Sequence, residues 1–193
     1  VLIFDSTMYH SDVPDNPGGG TVEWTNPWGS YKYVDNIELR EDGGTPGFLQ
    51  AIRAALALEL KAQMGIDNIL EREQELTRLA FTELEQIPSI KILADNIKDR
   101  LGVISFYHEK IHFNLLVKIL SYRFGIQVRG GCVCAGTYGH FLLEVSYDRS
   151  KEITDKINHG DLSEKPGWVR WSLHPTMTDD EILYVVKSLK EII

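Results

Sequence analysis

Arg129-Gly130-Gly131-Cys132-Val133-Cys134-Ala135-Gly136-Thr137-Tyr138-Gly139-His140 is the stretch on which the reading of this 193-residue chain turns. It holds both cysteines and follows a short apolar run, Gly125-Ile126-Gln127-Val128, that reads as a strand. A strand ending in Gly-Gly permits positive φ and a close approach of backbone to a ligand. Arg129 favours thiolate over thiol, and the thiolate is the nucleophile. Three readings stand side by side: a reactive-cysteine loop, a buried structural thiol, and a zinc knuckle. A zinc site from Cys132, Cys134 and His140 lacks the usual cysteine spacing and a fourth ligand.

Outward from that loop, the totals narrow the function. The chain is 43% apolar with a net charge of −8. Its length suits one domain, or one domain with an appendage, around a real core. The acidic balance argues against nucleic-acid binding, which normally shows a basic face. No apolar run is long enough to span a membrane, and no secretory-leader pattern is present. Two cysteines one residue apart are poorly placed to pair with each other. Reduced thiols and a cytoplasmic setting are therefore expected. The opening Val1-Leu2-Ile3-Phe4 reads as a strand and lacks Met, so the chain is expected to be a piece of something longer.

Residues 12–20 form a Pro- and Gly-rich loop, and residues 21–33 read as extended, with Trp24, Trp28, Tyr31 and Tyr33. At 40–47, Thr45 then Pro46 fits N-cap and first turn of a helix carrying Leu49, Ile52, Ala55, Leu56 and Leu60. Gly-Gly-Thr there is either a cap or a phosphate cradle. Gly65 breaks that helix; a second runs over 67–87, and Pro88 closes it. Strands are expected at 90–93 and 101–107, and a helix at 113–124 with Leu115, Leu116, Ile119 and Leu120 on its apolar side. Short helices follow at 137–143 and 148–158. His108-Glu109-Lys110-Ile111-His112 matches the zinc-protease pattern, but it straddles a strand–helix junction rather than one helix face. Val169-Arg170-Trp171-Ser172-Leu173 alternates like a half-buried strand, with Arg170 and Ser172 on one face. An Arg so placed holds a carboxylate in a bidentate fork or makes a surface salt bridge. Thr178-Asp179-Asp180-Glu181 is a capping box that opens a last helix.

Four of these stretches occur in a characteristic order: PGGGTV at 17–22, REDGGTP at 40–46, RGGCVCAGTYGH at 129–140 and VRWSLHPTMTDDEI at 169–182. Over essentially its whole length the chain resembles the C-terminal half of class V (fold type I) pyridoxal-phosphate (PLP) aminotransferases, in the cysteine desulfurase/selenocysteine lyase branch. The resemblance implies an α/β fold. Residues 47–193 would be the small C-terminal domain, a mixed small sheet covered by helices in a sandwich-like α+β arrangement. Residues 1–46 would be a remnant of the PLP-binding large domain. It implies that Cys134 is the catalytic nucleophile, taking sulfur from cofactor-bound L-cysteine as a persulfide and leaving alanine. Arg170 would grip the substrate carboxylate, with Arg129 as a second active-site arginine. Gly44 and Thr45 would reach the PLP phosphate of the partner subunit in a homodimer. A sulfur-acceptor protein is a possible partner, no metal is expected, and Cys132 is expected to pack. The family's Schiff-base lysine lies upstream of the segment matched by 1–4 and has no counterpart here. The piece alone is therefore expected to be inactive. The same class contains aminotransferases and an epimerase, in which Cys134 would be incidental.

Overall fold

Apolar side chains recurring every three or four residues sort the helices of this chain into buried and bare ones. The computed structural model describes residues 2–132 and 135–193. It divides into two compact units, 1–63 and 64–193. The expected domain boundary at 46/47 falls just before helix α2 of the first unit, and the division by compactness falls at that helix's end.

The second unit contains the core. Helix α3 (Ile66–Leu84) buries Leu76, Ala80 and Leu84, each four residues from the next and each at 0% exposure. Helix α4 (Phe113–Phe124) buries Phe113, Leu116 and Leu120. Leu115, expected on the apolar side, is exposed. Helix α7 (Asp179–Ile192) buries Ile182, Val185, Val186 and Leu189 behind the expected capping box. These side chains form one cluster with Ile90, Ile104, Phe106, Val169 and Trp171 of the strands.

The strands are β3 (Ile90–Ile92), β4 (Val103–His108), β5 (Arg129–Gly130) and β6 (Val169–Ser172), in the order β3-β4-β6-β5. Every pairing is antiparallel. Strands β4 and β5 both pair with β6, so they run parallel to each other with α4 joining them: a split βαβ unit. Alternation along β4 and β6 sends Ile104, Phe106, Val169 and Trp171 to the helices. Ser105, Tyr107, Arg170 and Ser172 take the opposite face. Helices α5 (Gly136–Leu142) and α6 (Tyr147–Asn158) follow the cysteine loop.

The first unit holds a β1 (Val22–Thr25)–β2 (Tyr31–Tyr33) hairpin, helix α1 (Ile37–Glu41) and helix α2 (Phe48–Met64), which crosses the boundary by one residue. Its buried residues are Pro14, Thr21 and Arg40. The Arg40 guanidinium donates to the carbonyls of Val34 (3.2 Å) and Ser11 (3.1 Å), tying the loop to the end of the hairpin. Polar ties and close backbone packing, rather than an apolar core, hold this unit together.

Three expectations change. Residues 2–4 are not a strand; Val1 lies outside the described residues. Residues 125–128 are not a strand either. Gly125 takes the left-handed conformation (φ 69°) as the C-cap of α4, and the Ile126 N–H donates back to Leu120. The strand starts only at Arg129. Helix α2 begins at Phe48, with its first bond from Ala51 N–H to the Gly47 carbonyl. Thr45 lies two residues ahead of Gly47, the residue that precedes the helix, and so does not cap it.

Candidate active site

The open face of the four-stranded sheet carries the first cluster. Register places Arg129 of β5 directly opposite Arg170 of β6, and Ser105 of β4 opposite Arg170 on its other side. A Cβ on Gly130 would meet Phe113 at 2.9 Å and Val117 at 3.0 Å, so position 130 faces the helices and Arg129 faces the open side. Arg170 is half-buried, and its Nε is buried without a partner. Among the described residues neither arginine is in an ion pair with a carboxylate. Like charges directly across a ladder repel. Two guanidiniums so placed are complementary to an external oxyanion, which each can grip bidentately.

The cysteine loop continues this edge. Gly131 N–H donates to the Trp168 carbonyl at 2.9 Å, and the Cys132 thiol donates to the Pro166 carbonyl at 3.1 Å. A Cβ on Gly167 would lie 2.9 Å from Gly131 Cα and 2.5 Å from Phe113, so only glycine permits this approach. Gly139 packs against Cys132 Sγ in the same way, where an added Cβ would sit 3.2 Å away. Burial pushes the Cys132 thiol up from its ordinary value, and the Lys165 charge opposes this more weakly. Cys132 is thus a packed thiol engaged by the Pro166 carbonyl. Cys134, the expected nucleophile, lies outside the described residues.

Ring nitrogens that the two zinc readings call on are already engaged, and Cys134 of the second reading lies outside the described residues. His108 Nδ1 accepts the backbone N–H groups of Lys110 and Ile111 at 3.0 Å each. His112 caps α4, accepting from Asn114 N–H through Nδ1 at 3.3 Å, with Nε2 3.2 Å from the Lys165 carbonyl. The His-Glu-x-x-His run is a strand-to-helix joint. His140 has both ring nitrogens occupied, by the Gly136 carbonyl (2.8 Å) and Ser150 Oγ (2.9 Å). Among the described residues no three His, Cys, Asp or Glu side chains are grouped to hold a metal.

The second cluster lies in the first unit, where the two glycine-rich motifs meet. Gly44 N–H donates to the Gly19 carbonyl at 2.8 Å, and a Cβ on Gly43 would lie 2.8 Å from the Asn16 carbonyl oxygen. Gly44 sits at φ +96° with open space beside its Cα, and Thr45 is exposed. The Gly44 N–H is thus spent inside the turn, which leaves the exposed Thr45 hydroxyl and the open space beside Gly44 as what a phosphate would meet here. Helix α2, expected to open at Thr45 and Pro46, begins at Phe48.

Comparison with known proteins follows from this geometry. The family described as Aminotransferase class-V matches residues 1–185. The chain belongs to the class-V aminotransferase family. Among its relatives is a cysteine desulfurase of Escherichia coli O8 (strain IAI1), 32% identical over 124 residues, which are 64% of this chain and 30% of that protein. The apo cysteine desulfurase of Thermococcus onnurineus NA1 shares the fold, with a TM-score of 0.71 at 24% identity over 93% of this chain and 39% of that one. A C-DES mutant with glycine covalently linked to its PLP cofactor matches with a TM-score of 0.54 at 18% identity, over 91% of this chain and 37% of that one. The chain therefore spans between 30% and 39% of the length of these proteins. The α/β fold expected from the motifs is the one observed, with a sheet that is antiparallel at each of its pairings. Among the described residues no helix is long and apolar enough to cross a membrane.

Sequence reading found Arg129 and Arg170 separately but missed their pairing and the hydroxyl of Ser105 beside them. The alternation Val103-Ile104-Ser105-Phe106-Tyr107 carried that signal, because it places Ser105 on the polar face.

Proposed function

We propose that this chain is the C-terminal part of a PLP-dependent cysteine desulfurase, with an amino-acid carboxylate site on the open sheet face. The observation that carries the reading is the Arg129–Arg170 pair, set opposite one another with no carboxylate partner among the described residues. Arg170, half-buried and with one nitrogen unsatisfied, takes the substrate α-carboxylate. Arg129 lies nearer solvent, adds positive potential and favours the thiolate of the loop that follows it. Gly44 and Thr45 hold the cofactor phosphate of the partner subunit in a homodimer. PLP, when bound, supplies the electron sink that activates the substrate carbon skeleton.

Cys134 is the proposed nucleophile. Its thiolate attacks the substrate sulfur, and an S–S bond forms as the C–S bond breaks. The sulfur stays on Cys134 as a persulfide, ready for an acceptor protein, and the carbon fragment leaves as alanine. Cys132, packed and engaged by the Pro166 carbonyl, takes no part in the transfer. We further propose that this chain by itself is inactive, because no residue in it matches the Schiff-base lysine, and that the parent enzyme is cytoplasmic.

The test is made in the full-length parent enzyme. Arg170→Lys keeps the charge but loses the fork, and should raise KM for L-cysteine more than it lowers kcat. Turnover that produces a keto acid or an epimerised amino acid in place of sulfide would move the assignment to the aminotransferase or epimerase branch. A KM unchanged in Arg170→Lys would remove the carboxylate site from the open sheet face.

A further inference from the structure

The joint between β4 and α4 is closed by two half-buried imidazoles acting as acceptors. His108 Nδ1 takes the N–H groups of Lys110 and Ile111, and His112 Nδ1 takes that of Asn114 in the first turn of α4. Neither Nδ1 can then carry a hydrogen. His112 Nε2 carries it instead and donates to the Lys165 carbonyl, which can only accept. An imidazolium has hydrogen on both nitrogens. Protonation therefore turns each Nδ1 into a donor facing amide donors, and the three bonds of the joint are lost, the cap of α4 among them.

What the joint holds is the cysteine edge of the sheet. The His112 ring lies against the ring of Phe113, centroids 4.3 Å apart, and Phe113 is the buried first residue of α4. Gly130 of β5 meets one edge of the Phe113 ring and Gly167 the other: added Cβ atoms would lie 2.9 Å from Cδ2 and 2.5 Å from Cε1. The segment 165–168 takes the His112 bond at Lys165, the Cys132 thiol at Pro166 and the Gly131 N–H at Trp168. A His112 ring that turns away from Asn114 thus loosens both walls around Phe113 and the two bonds that seat Gly131 and Cys132.

Both histidines line a cleft of about 520 Å³. The charged and titratable groups that share it are Tyr107, Glu109 and Lys110 on the joint, Glu144 ahead of α6, Arg149 on α6, and Glu164 and Lys165 ahead of β6. Lys91 of β3 stands opposite Tyr107, and the first turn of α4 carries no acidic residue. Carboxylates and cations are interleaved, and Glu164 is committed to Arg149 and Lys156. What separates imidazole from imidazolium here is the set of amide hydrogens aimed at Nδ1.

We propose that His108 and His112 form a pH-sensitive latch, which clamps the cysteine edge of the sheet while both rings are neutral and releases it when they are protonated. The closed joint binds fewer protons than the open one, so acid favours opening. Histidine changes charge between about pH 5 and 8, which sets the window. The latch is independent of the reaction assigned to the parent enzyme.

The test compares the full chain carrying Cys134→Ser with the same chain also carrying His108→Asn and His112→Asn. Asparagine accepts backbone N–H groups in turns and at helix N-caps but does not titrate. Modification of Cys132 by dithiodipyridine is timed at neutral pH and at about pH 5.5, on either side of the ordinary histidine value. Rates are compared between chains at the same pH, so the thiol's own ionisation cancels. Glu164, held below its ordinary 4.5, stays ionised throughout. The two chains should react alike at neutral pH, and in acid the histidine chain should react about tenfold faster, the scale of one or two lost caps. Equal rates in acid, or the same ratio at both pH values, would overturn the latch. Nitrogen NMR of the wild-type chain keeps the test decisive if the asparagine chain does not fold. At neutral pH both rings should carry hydrogen on Nε2 alone, and the Lys110, Ile111 and Asn114 amide signals should move as the rings protonate. Hydrogen on Nδ1 at neutral pH, or amide signals that stay in place while the rings titrate, would equally overturn it.

Discussion

Arg129 and Arg170 face each other across the β5–β6 ladder, and that repulsion is a cost the free protein carries. Arg129→Gln should therefore stabilise the chain by about 0.5 kcal/mol, the scale of a cross-strand pair, in urea unfolding. Arg170→Ala in the parent enzyme should lower kcat/KM for L-cysteine by about 100-fold, the loss expected for a truncated charge partner. Gly167→Ala places a methyl against Phe113 and the Gly131 backbone. It should destabilise the chain by about 1–3 kcal/mol, as overpacking does. Some of this residue-scale detail is legible in the sequence and some is not. Arg170 announces itself because it interrupts an apolar alternation. Its pairing with Arg129 does not, because register between strands forty residues apart is set by packing rather than by local pattern. The packed state of Cys132 depends on the Pro166 carbonyl, 34 residues away in sequence, so neither the spacing of the cysteines nor their neighbours could reveal it.

At the scale of elements, the ends of helices decide how well sequence predicts structure. The capping box of α7 was legible because all its partners lie within four residues: Thr178 accepts from Glu181 N–H, and the Glu181 carboxylate accepts from Thr178 N–H. Thr178→Ala should cost about 1 kcal/mol in thermal unfolding. The run 125–128 misled because its apolar residues serve the C-cap of α4, a use that a two-residue period cannot separate from a strand. Helix α6 is joined to the segment ahead of β6 by Glu164, which bonds Lys156 and, at 2.6 Å, Arg149. The Lys156 hydrogen bond is the largest influence lowering the Glu164 carboxyl below its ordinary 4.5. A lowered carboxyl contributes stability above its unfolded value and loses it as pH falls through the folded one. The stability difference between wild type and Glu164→Gln should accordingly be present at neutral pH and vanish on acidification below 4.5, in thermal scans across pH.

At the scale of the whole chain, the two units are built differently. The second has a continuous apolar core from Leu76 to Leu189, whereas the first buries Pro14, Thr21 and Arg40. The first also exposes Ile3 (90%), Trp28 (86%), Leu56 and the other apolar side chains of α2, a surface typical of one that another protein segment covers. Hydrogen exchange should therefore show amides of 76–84 and 104–106 protected to the global limit, with those of 22–33 and 48–60 exchanging by local opening. Equal protection in both units would contradict this division. Narrower than the fold is the proposal that sulfur leaves cysteine onto Cys134. Its most direct test is to measure sulfide and alanine released from L-cysteine by the PLP-loaded parent enzyme, as wild type and as Cys134→Ser. The account predicts both products from the wild type and neither from the variant. Undiminished sulfide and alanine from Cys134→Ser would contradict it.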